Sequence, residues 1–182
     1  MRARYVFNLR SEQERRPLPS KLLLVQRETE TLTHLLLKLF GYLLLYRDRL
    51  QMEPSLDDEC LTYLPDMVWL DYQGRIALWV ECGECLVTKL DRLAVKAPYA
   101  EIWVFKRSVA AAEELARQMD REKLRRSRYT LVGLDAAMLT EVEALCRVRN
   151  DVVWYKSSTD PARMQFEFNG LWFESEFVVL KH

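Results

Sequence analysis

The chain has 182 residues, enough for one core, and folding at that size buries roughly 70% of the surface an unfolded chain exposes, so stability needs no disulfide or metal staples. With 49% hydrophobic and 30% charged residues, 5 glycines and 6 prolines, it is neither collagen-like, low-complexity nor mainly disordered. Lysine plus arginine and aspartate plus glutamate are each 27, so attraction to a polyanion must come from local clustering, which disfavours a histone-like or basic coat protein.

Alternation of Tyr5, Phe7 and Leu9 with Arg4 and Asn8 predicts a strand over 2–9, a polar loop over 10–20, and a returning strand over 21–26 that closes a hairpin. From Thr31, the residues Leu32, Leu35, Leu36, Leu39, Phe40 and Leu43 recur at helical spacing, so a buried helix runs to Tyr46. Its apolar stretch from Leu35 is broken by Lys38 and falls well short of the ~20 residues of a membrane span. The amino terminus lacks the continuous apolar segment of a secretory signal. Four cysteines in a chain this long make no disulfide framework, so a reducing cytoplasm fits best.

A short strand is expected around Leu50, then an acidic loop over 53–59, then two apolar runs, Met67 to Asp71 and Ile76 to Cys82, around a Tyr-Gln-Gly-Arg turn. A helix through Leu86, Leu90, Leu93 and Ala97, a strand over 101–105, a helix from Ser108 to about Met119, a strand over 129–134 and a helix from Asp135 to about Cys146 follow. Strands over 152–156 and 164–168, an Asn-Gly turn and a strand over 171–180 close the chain. The architecture expected is a single α/β domain over 1–182, with a central mixed sheet flanked by helices, an N-terminal hairpin and C-terminal strands.

Register makes the 67–82 hairpin the place for chemistry. With Gln73 and Gly74 as central turn residues, Tyr72 pairs with Arg75, Asp71 faces Ile76, and Met67 meets Val80. Asp66 then opposes Glu81 on one face, with Cβ atoms about 5 Å apart, where like charges destabilise a sheet unless a cation separates them. Magnesium accepts one or two carboxylates, a carbonyl and waters, a set that Asp66, Glu81 and the Cys82 backbone offer. Apolar residues on both faces place these strands centrally and make carboxylates beside them costly. Glu30 starts the long helix, and Lys89, Arg92 and Lys96 form a basic stripe on the helix leaving Glu81, with Lys89 near enough to return over the carboxylates. The plainer readings are a helix-start acid and a solvated basic face. Arg121, Lys123, Arg125, Arg126 and Arg128, in the basic segment from Lys106 to Arg128, offer a counterpart for substrate binding, with a solvated helix end as the plainer reading.

This order of elements, with the stretches TETLTHLLLKLFGYLLLYRDRLQ and LPDMVWLDYQGRIALWVECG, resembles the YaeQ family over nearly the whole chain. The resemblance implies a restriction-endonuclease-like, PD-(D/E)xK fold, with Asp66 in place of the motif aspartate and Glu81 of the motif acid. Where many such nucleases carry a lysine two residues after that acid, this chain has Gly83, and basic residues come from the next helix as Lys89 and Arg92. Two acids of the family pattern are replaced by Thr33 and Ala77. The implied activity is phosphodiester hydrolysis on nucleic acid with Mg2+ or Mn2+ held by Asp66 and Glu81, Lys89 and Arg92 facing the reacting phosphate, and Glu30 on a second metal or its water. One alternative is a nuclease fold kept as a binding module without catalysis. Another is thiol–disulfide exchange at Cys82 and Cys85, which follow a strand and open a helix.

Overall fold

The apolar run of the first helix decides how the layers stack. The computed structural model describes residues 3–54 and 63–182. In chain order its elements begin β1 (Arg4–Ser11), β2 (Lys21–Val25), α1 (Leu32–Leu45), β3 (Gln51–Met52), β4 (Met67–Leu70), β5 (Ile76–Cys82) and α2 (Val87–Lys96). They continue β6 (Glu101–Lys106), α3 (Val109–Arg121), β7 (Tyr129–Gly133), α4 (Ala136–Leu145), β8 (Arg149–Thr159), β9 (Ala162–Phe168), β10 (Leu171–Glu176) and β11 (Val178–Lys181). Part of the expected acidic loop, 55–59, and Cys60 lie outside the described residues.

Every residue of α1 from Leu35 to Leu45 is buried, which a helix lying on a single surface does not achieve, because its outer face would meet water. Two sheets cover it. One has the order β10-β9-β8-β1-β2 and the other β11-β7-β6-β5-β4-β3. Phe7, Trp154 and Phe166 from the first and Met67, Val80 and Phe105 from the second share one core with α1 and α4. The opposite face of the second sheet packs Trp79, Val104 and Leu131 under α2 and α3. The second sheet is therefore the mixed sheet flanked by helices, with β5, β6 and β7 parallel and joined through α2 and α3. The N-terminal hairpin and the C-terminal strands build the first, all within one α/β domain.

The structure corrects two local expectations. The run over 171–180 is not one strand: it divides at buried Phe177, β10 staying with β9 and β11 crossing to pair with β7. The hairpin turn is also displaced. Leu70, not Asp71, pairs with Ile76, and the Asp71 amide donates to the Arg75 carbonyl at 2.9 Å, so Tyr72, Gln73 and Gly74 form a three-residue loop. Gly74 takes the left-handed position there, with φ of 77°, and a bulge between Trp69 and Leu70 absorbs the extra residue. The two shifts cancel, so Met67 still meets Val80.

Candidate functional site

The site lies where β5 leaves the sheet. Beyond the last β4 partner, the Cys82 amide donates to Asp66 Oδ2 at 2.7 Å, and the Asp66 amide donates to the Val80 carbonyl at 3.0 Å. The other carboxylate oxygen, Oδ1, faces α1, 3.4 Å from His34 Nε2 and 3.5 Å from Lys38 Nζ. His34 and Lys38 are four residues apart and project from one side of the helix, and Glu30, just before the Thr31 cap, turns its side chain to the same side. Thr31 starts that helix by accepting from the His34 amide at 3.1 Å, and the Arg27 amide holds Glu30 through its Oε2 at 3.0 Å.

Lys38 is the hub. Its Nζ lies 2.5 Å from Glu30 Oε1 and also donates to Glu53, whose backbone amide donates to the Asp66 carbonyl at 2.8 Å. Burial pushes the Glu30 carboxyl up, but the Arg27 amide, Lys38 and His34 outweigh it and hold it below the usual range. Asp66 behaves alike: burial raises it, His34, Lys38 and the Cys82 amide lower it, and the net displacement is downward. Burial lowers Lys38, and its carboxylate neighbours more than restore it. Glu30, Glu53 and Asp66 face the Lys38 ammonium and, 3.8 Å from Glu53, the Arg27 guanidinium, so carboxylates still outnumber these cations by one.

Glu81 occupies the other side of the strand, with Trp79, under α2. Its Oε1 accepts from Trp79 Nε1 at 2.6 Å and its Oε2 from Lys89 Nζ at 2.7 Å. Burial raises the Glu81 carboxyl and prevails over Lys89 and Trp79, while the negative charge of Asp66 adds to the rise. The structure corrects the expectation that Asp66 and Glu81 share one face: Asp66 turns toward α1 and Glu81 lies under α2, each anchored by different partners, although their charges still influence one another. Lys89 is where the helix geometry puts it, over Glu81. Arg92, one turn on, donates to the Tyr63 hydroxyl at 3.0 Å.

Glu30, His34 and Asp66 offer ligand atoms all within 4.8 Å of one another, the one such group of three among the described residues. The set fits a divalent cation, and an imidazole beside two carboxylates suits Mn2+ better than Mg2+, which takes oxygen donors. A cavity of about 460 Å³ reaches Glu30 and His34 and is bordered by Thr31, Thr33, Lys106 and Arg107. Lys106 closes its floor, donating to the Gly83 carbonyl at 2.8 Å. Gly83 has φ of 76°, and a Cβ there would lie 2.7 Å from His34 Nδ1, so a lysine two residues after Glu81 would be strained and would displace the histidine.

Sequence reasoning reached Glu30, Asp66, Glu81, Lys89 and Arg92 but missed Lys38 and Glu53. Lys38 carried a signal, since a lone lysine within a buried apolar helix must be paired. Glu53, in a run of acids, carried none. The basic run to Arg128 is largely used up internally: Arg121 pairs with Glu114, Arg125 with Asp91 and Arg126 with Asp120, while Arg128 donates to carbonyls at the end of α2. At the Cys-x-x-Cys pair, burial pushes the Cys82 thiol well up and that of Cys85 to about 12, opposite to the depressed thiol that disulfide exchange uses.

Fold and site together define an α/β protein that gathers carboxylates, a histidine and buried lysines at the exit of a central strand. The sequence model of the YaeQ protein family matches residues 18–155, and the chain belongs to that family. Among solved structures, the YaeQ protein from Xanthomonas axonopodis pv. citri superposes with a TM-score of 0.76 at 19% identity, covering 100% of this chain and 99% of that one. The YaeQ protein from Pseudomonas syringae gives 0.74 at 14% identity, covering 100% and 97%. At such identities the likeness concerns the fold. A comparison with curated proteins finds no match. Among the described residues, no helix is long and apolar enough to cross a membrane.

Proposed function

We propose that the protein is a metal-dependent phosphodiester hydrolase on a restriction-endonuclease-like core, acting on nucleic acid with Mn2+ or Mg2+. The observation that carries this reading is the excess negative charge around Asp66 beside the Glu81–Lys89 pair at the end of β5. Asp66, Glu30 and His34 would hold the cation, and Glu81, bonded to Trp79 and Lys89 under α2, lies on the other face of the strand. The bound cation supplies Lewis-acid stabilisation and an acidified water. Glu81, raised by burial, keeps or releases a proton closer to neutrality than a surface glutamate does. Lys89 and Arg92 place positive charge where a phosphodiester gains negative charge, and Gly83 leaves room for His34.

The test is cleavage of pooled single- and double-stranded DNA and RNA in Mn2+ or Mg2+. Wild-type protein should cleave, and Glu81→Gln and Asp66→Asn should each lower the rate by about 100-fold or more. Absence of cleavage by folded wild-type protein, or undiminished cleavage by both variants, refutes the reading. A binding module without catalysis is the second reading, favoured by Lys38, whose ammonium already stands among the acids. Its signature is nucleic-acid binding in EDTA with no cleavage in either metal.

A further inference from the structure

The basic stripe of α2 does not end at the site. Helix α2 runs back from Glu81 toward the hairpin turn, so Lys89, Arg92 and Lys96 climb about 10 Å along the domain. Arg92 and Lys96 are exposed, and among the described residues no carboxylate lies within ion-pair distance of either. Asp91, the acid on the same helix, is turned aside to Arg125 at 2.5 Å.

Aromatic rings stand at both ends of this stripe. Tyr63 lies beneath Lys89, with Nζ 5.4 Å from its ring centroid, and accepts from Arg92. Beyond Lys96, Tyr99 lies under the Arg75 guanidinium at 5.4 Å, and across the turn Tyr72 lies under that of Arg49 at 4.6 Å. Tyr99 is 77% exposed and Tyr72 92%, so both rings keep open surface. Arg49 and Arg47 also lie over Trp69, at 6.0 and 5.3 Å, which continues the alternation of guanidinium and ring around the hairpin. Alternating cations and open rings fit a strand that offers phosphates and unstacked bases in turn. Duplex hides its bases and does not use the rings.

We propose that the face running from Lys89 along α2 to Tyr99 and Tyr72 binds single-stranded nucleic acid, phosphates on Arg92 and Lys96 and bases on the two tyrosines, with Arg75 held by Asp71 at 2.8 Å over the Tyr99 ring. The track deepens the phosphodiester reading by naming the form of the substrate, and it leads a strand to the Glu81–Lys89 end of β5. Seven residues of β5 separate that end from the hairpin, about 20 Å, a span of several nucleotides.

Binding is measured by fluorescence anisotropy of labelled dT20, rU20 and a 20-base-pair duplex in EDTA, where cleavage plays no part. Single strands should bind more tightly than duplex, and Tyr72→Ala and Tyr99→Ala should each weaken dT20 or rU20 binding roughly tenfold. Lys96→Ala should reduce the slope of log affinity against log salt by about 0.7, while circular dichroism remains that of wild type. Equal affinity for duplex, or single-strand affinity indifferent to both tyrosines, overturns the track. A protein that binds dT20 through the tyrosines but never cleaves retains the track and refutes hydrolysis. One that cleaves with dT20 and rU20 affinity unmoved by the tyrosine variants does the reverse.

Discussion

Lys38→Met keeps the length and apolar stem of the side chain and removes only its ammonium. In the wild type that group is 1% exposed and faces Glu30, Glu53 and Asp66, while Arg27 reaches only Glu53, at 3.8 Å. Stranding one side of a buried ion pair costs about 3–5 kcal/mol, a large part of the ~5–15 kcal/mol that holds a domain together. At roughly 2–4 °C per kcal/mol for a domain of this size, the melting temperature should fall by roughly 6–20 °C. The sign of the pH dependence follows from the shifts. Glu30 and Asp66 have lowered folded values, so their stabilisation is present above the unfolded carboxyl range and is lost as pH falls through the folded values. Lys38 is raised, so its contribution is complete below its unfolded value and is lost only as pH rises through the folded one. The penalty of Lys38→Met should thus be full at neutral pH and shrink in acid, where the stranded carboxylates take up protons. Urea denaturation of both proteins between about pH 4 and 7 measures it. A loss below about 1 kcal/mol at neutral pH, or one that does not change with pH, refutes the assigned role of Lys38.

Two glycines should respond differently to alanine. At Gly41 the new Cβ meets the mobile end of Met67 at 2.7 Å and gains helix propensity, so Gly41→Ala should stay within about 1 kcal/mol of wild type in urea denaturation. At Gly83 the left-handed backbone adds about 1–2 kcal/mol of cost before His34 is displaced, so Gly83→Ala should be the less stable; the reverse ranking contradicts the packing at His34. Iodoacetamide at pH 8 should leave Cys82 and Cys85 unlabelled in folded protein and label both in urea, as read by peptide mass spectrometry; rapid labelling of Cys82 in folded protein would restore the disulfide-exchange reading.

Periodicity exposed most of the fold because α1, α2, α3 and the paired strands bury faces whose spacing is visible along the chain. Register placed Met67 opposite Val80 through a turn that is itself shifted by one residue, since a bulge compensated an error that local residues could not reveal. The division at Phe177 was hidden because β10 and β11 carry similar apolar and polar residues, and only long-range pairing decides which sheet receives each. At the site, spacing put Lys89 over Glu81. It could not show that Asp66 turns toward α1 beyond the last β4 partner, because a residue at the end of a ladder is no longer bound to the alternation of the strand. Glu53 reaches the cluster through β3, a strand of two residues with too little pattern to place it.

Manganese titration by calorimetry, with thermal unfolding of the same samples, addresses the cation directly. Wild-type protein should take up Mn2+ and, at a free concentration near 100 times Kd, gain about 2.7 kcal/mol of stability, while Asp66→Asn should bind at least tenfold more weakly. No heat and no stabilisation in the wild type, or equal uptake by folded Asp66→Asn, would contradict a metal centre at this carboxylate.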